Sequence, residues 1–114
     1  MTINISQLFA PAVLTGSAVT YYTVPAAPAS NTLINGRVRF SNTTTGVVTV
    51  TAYAIQSGGS ASAANAFMTL EGVPANAHVD VDLPLLGAGG FFQALAGATT
   101  SITVLCLGGV IFSN

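Results

Sequence analysis

The chain has no lysine and no tryptophan, and its only cations are Arg37 and Arg39. Charged residues make up 4% of its 114 residues, against about 25% in an average soluble domain. Two arginines and a net charge of -1 provide no basic face. Capture of nucleic acid, which needs cations clustered opposite phosphates, is therefore excluded. The same scarcity leaves little repulsion to hold copies apart, so association of the chain with itself is expected. The single cysteine, Cys106, can form no internal disulfide. It sits in an apolar run and reads as a buried, unreactive thiol, consistent with synthesis in the cytoplasm.

Catalytic material is equally sparse. The only histidine is His78, and Glu71, Asp80 and Asp82 are the only acids. The serines lie in Gly- and Ala-rich turns with no histidine–acid relay to activate them. Gly87–Gly90 lacks the lysine and the following helix of a phosphate-binding loop. No enzyme activity and no cofactor are expected.

Hydrophobic residues reach 51%, yet no apolar run approaches the roughly 20 residues that a spanning helix needs. The best candidate, Ile102–Phe112, is short and is broken by Gly108-Gly109. A membrane barrel would need at least about eight strands of 9–11 residues and aromatic girdles, which this length and composition do not supply. The first residues carry no basic group of the kind that opens a signal peptide, so export by that route is not expected.

What the chain does have is alternation. Val47–Ile55 reads V-V-T-V-T-A-Y-A-I and is closed by Ser57-Gly58-Gly59-Ser60. Period-two patterning puts one row in a core and the other outward. The outward row is read as threonines and alanines where lysine or glutamate would be usual, a face suited to contact with protein. Strands are predicted near 18–24, 33–41, 47–56, 66–70, 78–83, 91–95 and 102–112. The segments between them (25–31, 42–46, 57–65, 71–76 and 84–90) carry proline, glycine and asparagine turn chemistry. That spacing predicts an all-β, single-domain β-sandwich of the jelly-roll kind over residues 15–114. Residues 1–14 read as a short N-terminal arm. Its apolar Ile3, Ile5, Leu8 and Phe9 are candidate contacts with a neighbouring subunit, and Pro11 bars a long helix.

Several motifs together resemble the small β-sandwich structural proteins of tailed bacteriophages. They are Tyr22-Thr23-Val24-Pro25, the Asn42-Thr43 turn after Phe40-Ser41, the strand Val47–Tyr53, and the loop Gly58-Gly59-Ser60-Ala61. The resemblance spans roughly residues 15–112 and implies a virion component: a decoration (cement) protein on the major capsid protein lattice, a head or neck fibre, or a tail accessory. It departs from that pattern at Gly87-Ala88-Gly89-Gly90-Phe91-Phe92, where related chains place an acid after a glycine. A compact chain without a repetitive shaft favours decoration, and a trimer would match the threefold positions of an icosahedral shell.

Two charged rows stand out. His78, Asp80 and Asp82 alternate with Val79, Val81 and Leu83, so all three project from one strand face. Oxygen-rich groups suit calcium or magnesium, but ligands spaced about 6–7 Å along one strand are too far apart for a single ion. A solvated face is the better reading, and no metal is expected. Arg37 and Arg39 repeat the arrangement with Val38 and Phe40 inward. They are the natural partners of Asp80 and Asp82, across adjacent strands or across a subunit boundary. Tyr21, Tyr22, Tyr53, Phe91 and Phe92 offer an alternative, a glycan- or receptor-binding fibre tip. Plugging the sandwich is the expected role of these rings, with one of Tyr21 and Tyr22 pointing inward and the other outward.

Overall fold

The structure, a computed structural model, describes residues 2–5, by their backbone alone, and residues 8–113. Its strands are β1 (Thr2–Ile5), β2 (Ala12–Val13), β3 (Val19–Thr23), β4 (Thr32–Asn42), β5 (Val48–Ile55), β6 (Ala66–Val73), β7 (His78–Asp82), β8 (Leu86–Gly87), β9 (Phe91–Ala96) and β10 (Ile102–Ser113), with a 3-10 turn at Ala63–Asn65. They are rich in valine, isoleucine, threonine and aromatics, whose branched or flat side chains fit a pleated surface.

The strands form two antiparallel sheets. One runs β1-β10-β4-β7, with β2 also along β10 and β8 along β4; the other runs β3-β9-β5-β6. Setting aside the two-residue β2 and β8, the first strand pairs with the last (β1 with β10), β3 with β9, β4 with β7 and β5 with β6. That nesting is an antiparallel ribbon folded over on itself, the jelly roll expected from the sequence.

Inward rows of both sheets meet in one core that includes Leu14, Val38, Phe40, Val50, Ile102 and Val104, all fully buried. Phe92 on β9 is its hub: the rings of Phe9, Tyr21, Phe40 and Phe67 lie 6.0, 6.2, 6.4 and 6.2 Å from it. These are tilted pairs at the separations that aromatic quadrupoles favour. A buried amide ties the corners together. Asn42 donates to the carbonyls of Gly46 and Val73 at 2.7 and 2.9 Å and accepts from the amide and hydroxyl of Thr44 at 2.9 and 2.7 Å. The Asn-Thr turn thus anchors both the β4–β5 and the β6–β7 connections.

Several local expectations are corrected. Residues 71–73 continue β6, and Leu86–Gly87 inside the expected 84–90 turn forms β8 against Leu33 and Thr32. In both places the edge of a longer neighbour supplies hydrogen bonds that local turn chemistry does not reveal. In β5, Ala52 and Ala54 share the inward parity of Val48 and Val50, so the outward row is Thr49, Thr51 and Tyr53. Thr51 is itself buried, because β6 bulges over it and the Leu70 amide donates to its hydroxyl at 3.1 Å. The two tyrosines do not alternate either. Pairing steps from Thr20–Gln93 to Tyr22–Phe92, leaving Tyr21 as the extra residue of a β-bulge. Both rings consequently pack against the core. Burial pushes both phenol pKa values up; proximity to Cys106 adds to this in Tyr22, and a hydrogen bond with the Thr15 backbone partly offsets it in Tyr21.

The N-terminal segment lies along this chain's own β10. Thr2–Ile5 pairs with 110–113 and Ala12–Val13 with 103–104. Leu8 and Phe9 pack on the core, and Leu14 is fully buried within it. The side chains of Ile3 and Ile5 lie outside the described residues.

Candidate interaction surface

Alternation along β4 buries Val38 and Phe40 and turns Arg37 and Arg39 to the outer face of their sheet. Antiparallel register then sets Arg39 opposite Asp80, Arg37 opposite Asp82 and Ser41 opposite His78. The structure therefore brings together all four charged residues singled out in the sequence, as cross-strand pairs within the chain.

The two pairs differ in quality. Arg39 grips Asp80 with two bonds, Nε to Oδ1 at 2.7 Å and an Nη to Oδ2 at 3.1 Å, the planar fork that suits a carboxylate. That hydrogen bonding, followed by the charges of Arg39, His78 and Arg37, holds the Asp80 carboxyl below its ordinary value and raises Arg39. Arg37 approaches Asp82 only to 3.7 Å through Nε, and both side chains are largely exposed, 57% and 84%. This is a loose surface pair that leaves most of Arg37's donors free of protein partners among the described residues. Asp80 is occupied by Arg39, and among the described residues no three His, Cys, Asp or Glu side chains gather as a metal cluster.

Beside Arg37 the edge of β4 changes partner. Residues 37–41 pair with β7 and 32–33 with β8, leaving 34–36 between them. Asn35 there adopts φ 53°, and the Gly36 carbonyl accepts from the Leu83 amide at 2.7 Å. The gap is an open groove of about 510 Å³ lined by Ile34, Asn35, Arg37, Asp82, Leu83 and Leu85. Leu85 is 66% exposed. It forms a ridge whose far side borders a second groove of about 350 Å³ against Gln56, Asn65, Phe67 and Pro84. Gln56 steadies that ridge, donating to the Leu85 carbonyl at 3.3 Å and accepting from the Gly87 amide at 3.4 Å.

Sequence reasoning did not single out Leu85 or Leu70. For Leu85 a signal existed: Pro84 interrupts a run of leucines, so strand alternation fails there and one leucine must turn outward. Leu70 had none, because its outward position comes from the bulge in β6. Cys106 is buried and its sulfur accepts from the amides of Leu8 and Gly108 at 3.4 and 3.3 Å.

The surface is otherwise apolar or weakly polar. Val13, Val19, Val47, Leu70, Leu85 and Leu107 are the large hydrophobic side chains exposed among the described residues. Such an arrangement offers docking area and a few orienting charges.

No protein-family profile matches the chain, and no curated protein matches it in sequence. Among solved structures it is similar to a chain from Bacillus endospore appendages, which form disulfide-linked pili: TM-score 0.58 and 13% identity, covering 98% of this chain and 88% of that one. It is also similar to a chain of the Gx strain of infectious bursal disease virus, with TM-score 0.54 and 13% identity over 96% of this chain and 31% of that one. A chain of the T13 particle of that virus gives 0.50 and 12% over 96% and 30%. This chain spans under a third of the viral chains' length. At these identities the likeness establishes the shared fold.

Proposed function

We propose that the chain is a structural subunit of a bacteriophage virion: a capsid decoration protein that associates with copies of itself, as a trimer, and docks on the major capsid protein lattice. It performs no reaction and uses no cofactor. The observation that carries this reading is the surface. Its few charges are partly neutralised in cross-strand pairs, while six large hydrophobic side chains stand exposed among the described residues. Faces of that kind lose little on desolvation against protein, and they are poorly suited to separate copies in water. The jelly roll shared with chains of a viral particle and of a pilus is in keeping with it. The motif resemblance to small phage structural proteins supplies the phage and the virion as its location.

A second reading, a subunit of a head, neck or tail fibre, is favoured by one observation. The pilus chain is matched over 88% of its own length, so a jelly roll of about this size can be nearly a whole filament subunit. Purified protein should form discrete oligomers by light scattering and bind shells stripped of accessory proteins. Filaments in electron micrographs favour the fibre. A monomer at millimolar concentration that binds neither shells nor tails overturns both readings.

A further inference from the structure

We infer that two separate surface features of this chain are the two halves of one contact between copies: the groove beside Arg37 receives Leu70 and Glu71 of a second copy. The inference rests on the self-association proposed above and names its surface.

The argument begins from charge. Of five charged side chains, Arg39 and Asp80 satisfy each other. Arg37 has only a 3.7 Å approach to Asp82, and Glu71 has no ion-pair partner among the described residues. A chain with two cations has one arginine with donors to spare and one carboxylate without a cation. Each lies beside an exposed leucine: Arg37 lines the groove ridged by Leu85, and Glu71 follows Leu70, each leucine 66% exposed.

The shapes also correspond. Leu70 is held outward in the left-handed region at φ 48°, which a leucine rarely adopts without cause. Its amide is pinned to Thr51 at 3.1 Å, so the projection is built in. Val47, 70% exposed, lies against Gly72 on the other side of Glu71. On this edge strand Glu71, registered opposite the inward-facing Val50, lies on the other side of the strand from Leu70 and Val47, so the patch is an edge with apolar side chains on its outer side and a carboxylate on its inner side. The groove, of about 510 Å³, sets the Arg37 guanidinium and the loosely paired Asp82 beside Asn35 and the apolar Ile34, Leu83 and Leu85. Leu70 fills the apolar floor while Glu71 takes the open donors of Arg37.

The two features lie apart on the sandwich, one on the outer face of a sheet and the other at the edge of the opposite sheet. Arg37 projects from the outer face of the β4 sheet, and Leu70 lies over Thr51 on the outer row of the β5 sheet. One molecule cannot satisfy both halves within itself. A patch-in-groove contact is therefore head-to-tail. It repeats from copy to copy, closing to a ring if the rotation allows and otherwise propagating as a filament.

Charge exchange tests this on the full chain. Arg37→Glu and Glu71→Arg should each weaken self-association about tenfold or more. The double variant should regain wild-type assembly, whereas an equimolar mixture of the two single variants should assemble only into open chains or even-numbered rings, because a ring of three leaves one contact between like charges. Leu85→Asp provides a second, apolar probe of the groove and should also reduce assembly. Sedimentation velocity reads the association, and thermal melts verify folding. Single variants that assemble like wild type overturn this contact alone, as does loss of assembly that the double variant does not restore. A wild type that stays monomeric overturns it together with the reading on which it rests.

Discussion

Leu8 lies over Gly109 so closely that a methyl group on the glycine would sit 2.7 Å from Leu8 Cδ1. The glycine follows Gly108, whose φ of +143° accompanies register shifts on both sides of it in the β10–β4 ladder. A glycine pair inside a long strand weakens it unless another group needs the space. Here that group is the leucine leading out of the N-terminal segment, with Phe9 following it onto Phe92.

Gly109→Ala should therefore destabilise the fold by about 1–3 kcal/mol through overpacking. Leu8→Ala in the same chain should relieve part of that cost. Urea unfolding of both single variants and the double variant measures the coupling. Additive effects would show that the notch and the leucine do not depend on each other.

Asn42 makes four hydrogen bonds from a buried amide. Asn42→Ala removes a donor from the Val73 carbonyl and from the Gly46 carbonyl, which keeps the Thr44 hydroxyl at 3.1 Å, and takes the acceptor from the Thr44 amide, so a loss of about 1–3 kcal/mol is expected. Asn42→Asp should also destabilise, because the two donors become acceptors facing carbonyl oxygens. Denaturant midpoints within error of wild type would refute the anchoring role.

Thr51 separates hydrogen bonding from shape. Thr51→Val keeps the volume and removes the acceptor for the Leu70 amide, which should cost about 1–2 kcal/mol and speed hydrogen exchange at Leu70. Thr51→Ser should preserve the protection. Equal exchange rates in the two variants would mean that the bulge is held by something else.

The Arg39–Asp80 pair predicts an acid limb to the stability curve. Asp80 is held below its ordinary value, chiefly by the Arg39 hydrogen bonds, so the unfolded chain takes up this proton at higher pH than the folded one. The contribution is complete above the unfolded carboxylate value of about 4 and is lost as pH falls through the lower folded value. Asp80→Asn should flatten the fall in melting temperature below about pH 4 and leave the slope near neutrality unchanged. An identical acid limb in the variant would refute the link.

Much of the fold was legible because a strand writes its two faces into successive residues. The β4, β5 and β10 runs, the cross-strand match of Arg37 and Arg39 with Asp80 and Asp82, and the Asn42 turn could all be read that way. The breaks in alternation could not. The Tyr21 bulge, the burial of Thr51 and the β8 pairing each depend on what a partner strand does many residues away.

Residue order by itself thus determined a sparsely charged, all-β chain with alternating faces, because side-chain direction in a strand follows local parity. Only the tertiary structure decided which edges pair, where the ladders slip, and hence that Arg37 borders a groove while Leu70 and Glu71 lie along the edge of the other sheet. Those outcomes depend on register between distant segments, and a bulge in one strand moves every later contact in a way that local sequence does not encode.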